Sequence, residues 1–130
     1  MKKQKDHIKP TGKEMEILQV LWKMGPCSVK EVHEKMGGNQ NNGYTTILKL
    51  LQIMHDKGLV TRQKNGKLHL YKAEANQKTT KQQMVDKIIQ TVFGGSASQL
   101  VLSALGHSRS SKEELREIRK YLDKLEGGKK

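Results

Sequence analysis

The feature that most constrains the fold of this chain is a change of hydrophobic period at Gly58. Before Gly58, apolar residues recur at the spacing of a helix with one buried face. The clearest stripe consists of Ile47, Leu50, Leu51 and Met54. After Gly58, two short runs flank Asn65-Gly66, a pair typical of β-hairpin turns in which both central residues take positive φ. The pattern therefore predicts helices followed by one hairpin.

Capping boxes mark the helix starts, because a Ser or Thr and a Glu three residues later satisfy each other's backbone N–H groups. The pairs are Thr11/Glu14, Ser28/Glu31, Ser111/Glu114 and, in a weaker Gln form, Thr80/Gln83. Together with the apolar stripes they predict helices over 12–24, 29–36 and 44–57 and strands over 59–63 and 68–73. The predicted class is mainly α with a small β-hairpin wing, and residues 1–75 form a winged helix-turn-helix domain.

Residues 76–130 are predicted to be helical and to form a dimerisation domain. Apolar residues are only 34% of the chain and aromatic residues 4%, so short amphipathic helices here have little core of their own. A second copy of the chain would cover their apolar faces. The predicted dimerisation residues are Met84, Ile88, Val92, Leu100, Val101, Leu115, Ile118 and Leu122.

The chain carries 25 Lys and Arg against 13 Asp and Glu, a formal charge of +12. This excess favours an anionic partner, either nucleic acid or an acidic membrane surface. No window approaches the roughly 20 apolar residues that span a bilayer. The basic N-terminus lacks the apolar stretch of a signal peptide. Because Cys27 has no second cysteine to pair with, a reducing cytoplasm is the expected compartment.

The helix over 44–57 has the properties of a DNA-recognition helix. The face opposite its apolar stripe is mostly polar, and the first residues of such a helix reach base edges in the major groove. Hydroxyl groups and the helix N-terminus also suit phosphates. The predicted DNA-binding residues of this helix are Tyr44, Thr45, Thr46, Leu48, Lys49 and Gln52.

The hairpin adds positive charge where a wing would lie. Between residues 57 and 72 there is no acidic residue, and the basic ones are Lys57, Arg62, Lys64, Lys67 and Lys72. Of these, Arg62, Lys64 and Lys67 are predicted to hold phosphates, which gives affinity that falls steeply with salt. A solvated hairpin without a ligand is the alternative.

Metal and catalytic sites are not predicted. The five histidines lack the H-x-x-x-H spacing that places two ligands on one helix face, and no cofactor is expected. Trp22 is interpreted as a core residue and Cys27 as a small buried one, with redox sensing as the alternative for Cys27. Neither a phosphate-binding loop nor a nucleophile elbow occurs, so the chain is predicted not to be an enzyme.

Taken together, these segments resemble the penicillinase-repressor family over nearly the whole chain. The N-terminal motifs are Glu14-Met15-Glu16-Ile17-Leu18 with Leu21-Trp22, Ser28-Val29-Lys30-Glu31-Val32, Tyr44-Thr45-Thr46-Ile47-Leu48 and Lys57-Gly58-Leu59-Val60. The C-terminal ones are Phe93-Gly94-Gly95-Ser96, Leu100-Val101-Leu102 and Glu113-Glu114-Leu115-Arg116-Glu117-Ile118.

The resemblance implies a homodimer with intertwined C-terminal helices that represses transcription from a palindromic operator, often of β-lactamase or related resistance genes. It also implies that Thr45, Thr46, Leu48 and Lys49 face the DNA. In antibiotic-responsive members, a membrane-bound sensor metalloprotease triggers inactivation by cleavage in the dimerisation region.

The chain departs from family patterns at two positions that bear on function. Staphylococcal-type members carry Asn-Phe at the cleaved bond, whereas the matching candidate bond here is Ser103-Ala104. They also carry a base-contacting arginine where this chain has Leu48, so a different operator is expected. The C-terminus has no cysteine cluster of the kind used by the copper-responsive branch.

Two other functions are compatible with the same residues. A winged helix also serves as a protein-docking module, although an apolar rather than a polar third helix would then be expected. RNA binding is the other alternative, and the shortage of aromatic residues disfavours it.

Overall fold

The computed structural model describes residues 9–38, 43–107 and 110–127. The elements are α1 (Gly12–Met24), α2 (Val29–Lys35), α3 (Tyr44–Lys57), β1 (Val60–Asn65), β2 (Leu68–Ala73), α4 (Gln77–Thr91), α5 (Ala97–His107) and α6 (Lys112–Gly127). This mainly helical order with one antiparallel hairpin confirms the predicted fold class. The chain divides into two compact units, the first ending at Asp86 and the second beginning at Lys87. The domain boundary after residue 75 stays a prediction.

Three of the four predicted capping boxes form, at the starts of α1, α2 and α6. The one at Thr80 was wrong, because α4 begins three residues earlier, at Gln77. The side chain of Asn76 accepts a hydrogen bond from the backbone N–H of Thr79 at 2.9 Å and so caps the helix. Thr80 lies within α4 and is buried.

The hairpin forms, but its turn differs from the predicted one. Asn65 pairs with Leu68, so the two-residue loop is Gly66-Lys67 rather than Asn65-Gly66. Gly66 has a φ of 68°, and no described non-glycine residue has a positive φ. A single positive φ at the first loop position is the requirement of a type II′ turn, which glycine meets without steric cost.

Smaller boundary differences occur at the end of α2 and along β1. α2 ends at Lys35, one residue earlier than predicted, and Met36 forms its C-terminal cap. β1 runs from Val60 to Asn65 instead of 59–63, since pairing continues to the turn. Gly58 caps the C-terminal end of α3 in the left-handed conformation, at the position where the hydrophobic period changes.

The core of the first unit joins α1, α2 and α3 to the hairpin. Its buried hydrophobic side chains are Ile17, Leu18, Leu21, Cys27, Val29, Val32, Ile47, Leu51, Met54, Leu59, Val60 and Tyr71. Cys27 and Tyr71 exchange two backbone hydrogen bonds, of 2.9 and 2.7 Å, so an isolated β-bridge joins the segment before α2 to the hairpin. The bridge holds the hairpin next to the start of α2.

Trp22 packs against this core and donates from its indole Nε1 to the carbonyl of Ala75 at 3.0 Å. The bond ties α1 to the segment that leads out of the hairpin into α4. The structural interpretation of Trp22 is therefore confirmed.

Candidate nucleic-acid interface

α3 presents one buried face and one exposed polar face. Ile47, Leu51 and Met54 are buried in the core. The opposite side exposes Thr45, Thr46, Lys49 and Gln52 to solvent. The cap residue, Gly43, has no side chain to bond the N–H groups of the first turn, and that turn contains no acidic residue. This end of α3 is therefore favourable for an anion.

The other two predicted DNA-binding residues of α3, Tyr44 and Leu48, also contact other parts of the protein. Tyr44 is 50% exposed, and its ring meets that of His33 edge-on with centroids 6.1 Å apart. His33 on α2 thereby contacts the first residue of α3. Leu48 is half-buried and packs against the core, so only part of its side chain can reach a ligand.

The hairpin exposes Arg62, Lys64 and Lys67, the three predicted phosphate-binding residues. Lys64 lies opposite His69 across the two strands, and Lys67 occupies the turn. Because α3 leads directly into β1 through Gly58 and Leu59, the basic hairpin and the polar helix face belong to the same compact unit.

Lys57 forms an ion pair within the protein. Its Nζ lies 2.8 Å from Oε1 and 3.0 Å from Oε2 of Glu14, which is almost fully buried. The same carboxylate accepts from the backbone N–H of Thr11 at 3.0 Å in the capping box. Glu14 thus joins the start of α1 to the end of α3. The capping pattern predicted the bond of Glu14 with Thr11. It did not predict the bond with Lys57, because that residue is 43 positions away in the sequence.

Cys27 is buried beneath the hairpin, and its thiol donates to the carbonyl of Gly25 at 3.3 Å. Burial raises the pKa of the Cys27 thiol; the negative charge of Glu31 adds to this, and the positive charge of Lys35 opposes it. Because the thiolate is the reactive form, a buried thiol with a raised pKa favours the structural interpretation over redox sensing.

The predicted dimerisation residues retain solvent exposure in the single chain. Met84, Leu100 and Ile118 are half-buried. The exposed ones are Ile88 (40%), Val92 (66%), Val101 (47%), Leu115 (38%) and Leu122 (50%). Within the described part of α5 and α6, no residue is buried. Their role in dimerisation stays a prediction.

No group of three or more metal-ligating side chains comes together among residues 9–38, 43–107 and 110–127. Of the five histidines, His7 lies outside these ranges. In the same part of the chain, none of the helices has the length and apolar character needed to cross a membrane.

Residues 10–124 match the family model of the penicillinase repressor, which covers most of both units. The chain belongs to the penicillinase-repressor family. The resemblance drawn from its motifs is thereby confirmed, and the protein is a DNA-binding regulator of the repressor type.

Individual members of the penicillinase-repressor family are distant in sequence but similar in length. The methicillin resistance regulatory protein MecI of Staphylococcus aureus is 24% identical over 111 residues, covering 85% of this chain and 90% of its own. The penicillinase repressor of Bacillus licheniformis is 22% identical and covers 90% and 91%. The transcriptional regulator BlaI of Mycobacterium tuberculosis is 29% identical and covers 88% and 83%.

A solved structure of a MarR family protein from Bacillus stearothermophilus aligns with 98% of this chain and 80% of its own at a TM-score of 0.50. With 20% sequence identity, this similarity supports the winged-helix fold alone.

The candidate cleavage bond implied by the penicillinase-repressor resemblance lies within α5. Ser103 and Ala104 are both exposed, in the middle of this helix. A protease needs an extended segment, so cleavage here requires α5 to unwind locally.

Proposed function

We propose that the chain is a dimeric, sequence-specific transcriptional repressor that binds a palindromic operator in the cytoplasm. The observation that carries the proposal is the exposed polar face of α3 beside the basic hairpin, in a member of a repressor family. Thr45, Thr46 and Lys49 would reach base edges or phosphates, and Gln52 would lie further along the groove. Tyr44 and the exposed part of Leu48 would complete the contact.

Dimerisation would place two α3 helices in successive major grooves, with half-sites about 10 bp apart. The apolar side chains left exposed on α4, α5 and α6 support this arrangement, because a second copy would remove them from water. Arg62, Lys64 and Lys67 would hold phosphates beside each recognition helix.

The genes under control would include resistance genes, in line with the names of the relatives, a methicillin resistance regulatory protein and a penicillinase repressor. We further propose that repression ends by proteolysis in the dimerisation region through a membrane-bound sensor metalloprotease. The exposure of Ser103 and Ala104 supports this bond as the candidate. The protein itself would have no catalytic role and no cofactor.

The test is fluorescence anisotropy of the full chain against duplexes from upstream of its own gene and of the neighbouring genes. A scrambled duplex of equal length and composition is the control, over a range of KCl concentrations. Specific repression requires a clear preference for one palindrome together with a steep salt dependence. Equal affinity for all duplexes would contradict sequence-specific recognition, and absence of binding at moderate salt would favour a protein-docking module.

A further inference from the structure

A pocket lies between α2, α3 and the hairpin in the first unit. It has a volume of about 200 Å³. The side chains relevant to its chemistry are Lys30 from α2, Tyr44 and Leu48 from α3, and Lys67 and His69 from the hairpin. Three elements that are separate in sequence therefore line one concave surface.

The charged side chains that line the pocket are lysines. Lys30 and Lys67 are exposed lysines on two of its walls, and none of the described residues that line it is acidic. Both side chains are long and exposed, so both ammonium groups can approach an anion in the pocket and attract it. The charge of the walls therefore favours a bound anion.

The size and donors of the pocket suit a phosphate group in particular. A water molecule takes about 30 Å³ in the liquid, so the pocket holds a phosphate group with a few waters. Tyr44 and His69 also line the pocket, and a phenol and an imidazole can both donate hydrogen bonds. Phosphate oxygens accept several such bonds at once.

The position of the pocket relates it to the proposed DNA interface. Tyr44 and Leu48 belong to the predicted recognition helix, and Lys67 belongs to the predicted wing. A phosphate in the pocket would lie beside the first turn of α3. Lys30 and His69 were not predicted as contacts from the sequence, because neither belongs to the polar face of α3 or to the run of hairpin cations.

We propose that this pocket is a phosphate-binding site in which Lys30 of α2 and Lys67 of the hairpin hold one phosphate group, with Tyr44 and His69 donating hydrogen bonds. The inference rests on the proposed function insofar as the phosphate is a backbone phosphate of the operator. The same chemistry suits a free phosphate or a small phosphorylated molecule, and the test separates the two sources.

The first arm measures how the affinity of the full chain for a mixed-sequence duplex depends on KCl concentration. Each phosphate contact contributes about 0.9 to the slope of log affinity against log salt. We expect Lys30→Gln and Lys67→Gln each to lower the magnitude of this slope by up to about 0.9, because the loss of either lysine leaves the shared phosphate only partly neutralised. Lys35→Gln is the matched control, since it removes one charge from the same helix but lines a different cavity with Lys23 and Met24.

The second arm follows the backbone amides of the DNA-free protein by NMR during titration with inorganic phosphate. Potassium chloride at equal ionic strength is the reference. Saturable shifts at Lys30 and Lys67 that vanish in Lys30→Gln identify free phosphate as a ligand. A changed salt slope without such shifts identifies the DNA backbone as the source.

The proposal is overturned if Lys30→Gln has the same salt slope as Lys35→Gln and inorganic phosphate gives no saturable shift at the pocket. Failure of the proposed function has a different signature. In that case the parent protein shows no preference among duplexes, while the slope difference and the phosphate titration remain measurable.

Discussion

At the residue scale, Glu14 shows how one side chain serves two elements. A carboxylate that is 2% exposed requires partners for its charge, and it has both the N–H of Thr11 and the ammonium group of Lys57. Lys57 keeps about a third of its side chain in solvent, which reduces the cost of the pair. The pair fixes the end of α3 to the start of α1 and so helps to hold the recognition helix in place.

We expect Glu14→Gln to lower the free energy of unfolding by about 1–2 kcal/mol, since it removes a charged acceptor from a buried position. Glutamine still serves a capping box, so the loss reports mainly on Lys57. Glu31→Gln is the matched control, because Glu31 caps α2 in the same way but is exposed. Urea denaturation at fixed protein concentration measures both, and equal losses would contradict the role assigned to the ion pair.

At the element scale, the hairpin depends on the backbone freedom of one residue. Gly66 has a φ of 68°, and a Cβ at this position would meet nothing within 4 Å. A side chain at this position would therefore destabilise the protein only through the backbone conformation and not through a steric clash. The turn also places Lys67 next to the pocket between α2, α3 and the hairpin.

Gly66→Ala should destabilise the protein by about 1–2 kcal/mol, the cost of a left-handed backbone for an L-residue. Gly12→Ala is its control, because Gly12 opens α1 with ordinary φ and equally open space around it. Thermal unfolding compares the two variants. A loss for Gly66→Ala no larger than that for Gly12→Ala would show that the turn does not require glycine.

α3 is the helix that is predicted to recognise the operator. Thr46 and Lys49 are exposed and lie away from the core, so truncation to alanine should weaken operator binding while leaving the fold and the oligomeric state unchanged. Lys23→Ala, which removes an exposed lysine from α1, is the control for loss of charge. Anisotropy with the operator duplex measures binding, and parent-like affinity of both α3 variants would refute the assignment of this helix.

The sequence predicts some parts of the fold better than others. Caps and apolar stripes act within one or two turns, so α1 and α3 were predicted with their observed bounds. The sequence also indicated a hairpin but placed its turn one residue early, because Asn-Gly and Gly-Lys loops share the same glycine. The bridge of Cys27 to Tyr71, the pair of Glu14 with Lys57 and the pocket wall at Lys30 could not be predicted, since each joins residues that only the tertiary fold brings together.

At the scale of the whole molecule, the two units have different cores. The first unit has a cluster of twelve buried hydrophobic residues. In the described part of the second unit, by contrast, the apolar side chains of α5 and α6 remain at least partly in water. Burying such side chains is worth roughly 25 cal/mol per Å² of apolar surface. We infer that the second unit is completed by another copy of the chain.

The most direct test of this account is sedimentation velocity of the full chain, alone and with its operator duplex, beside the variant Leu115→Asp/Leu122→Asp. Both leucines are exposed on α6, so their replacement should spare the fold of the first unit. The account predicts a parent dimer that binds one duplex as two chains, and a variant that sediments as a monomer with much weaker operator affinity. A parent that saturates the palindrome as a single chain, or a variant that remains dimeric and binds like the parent, would contradict it.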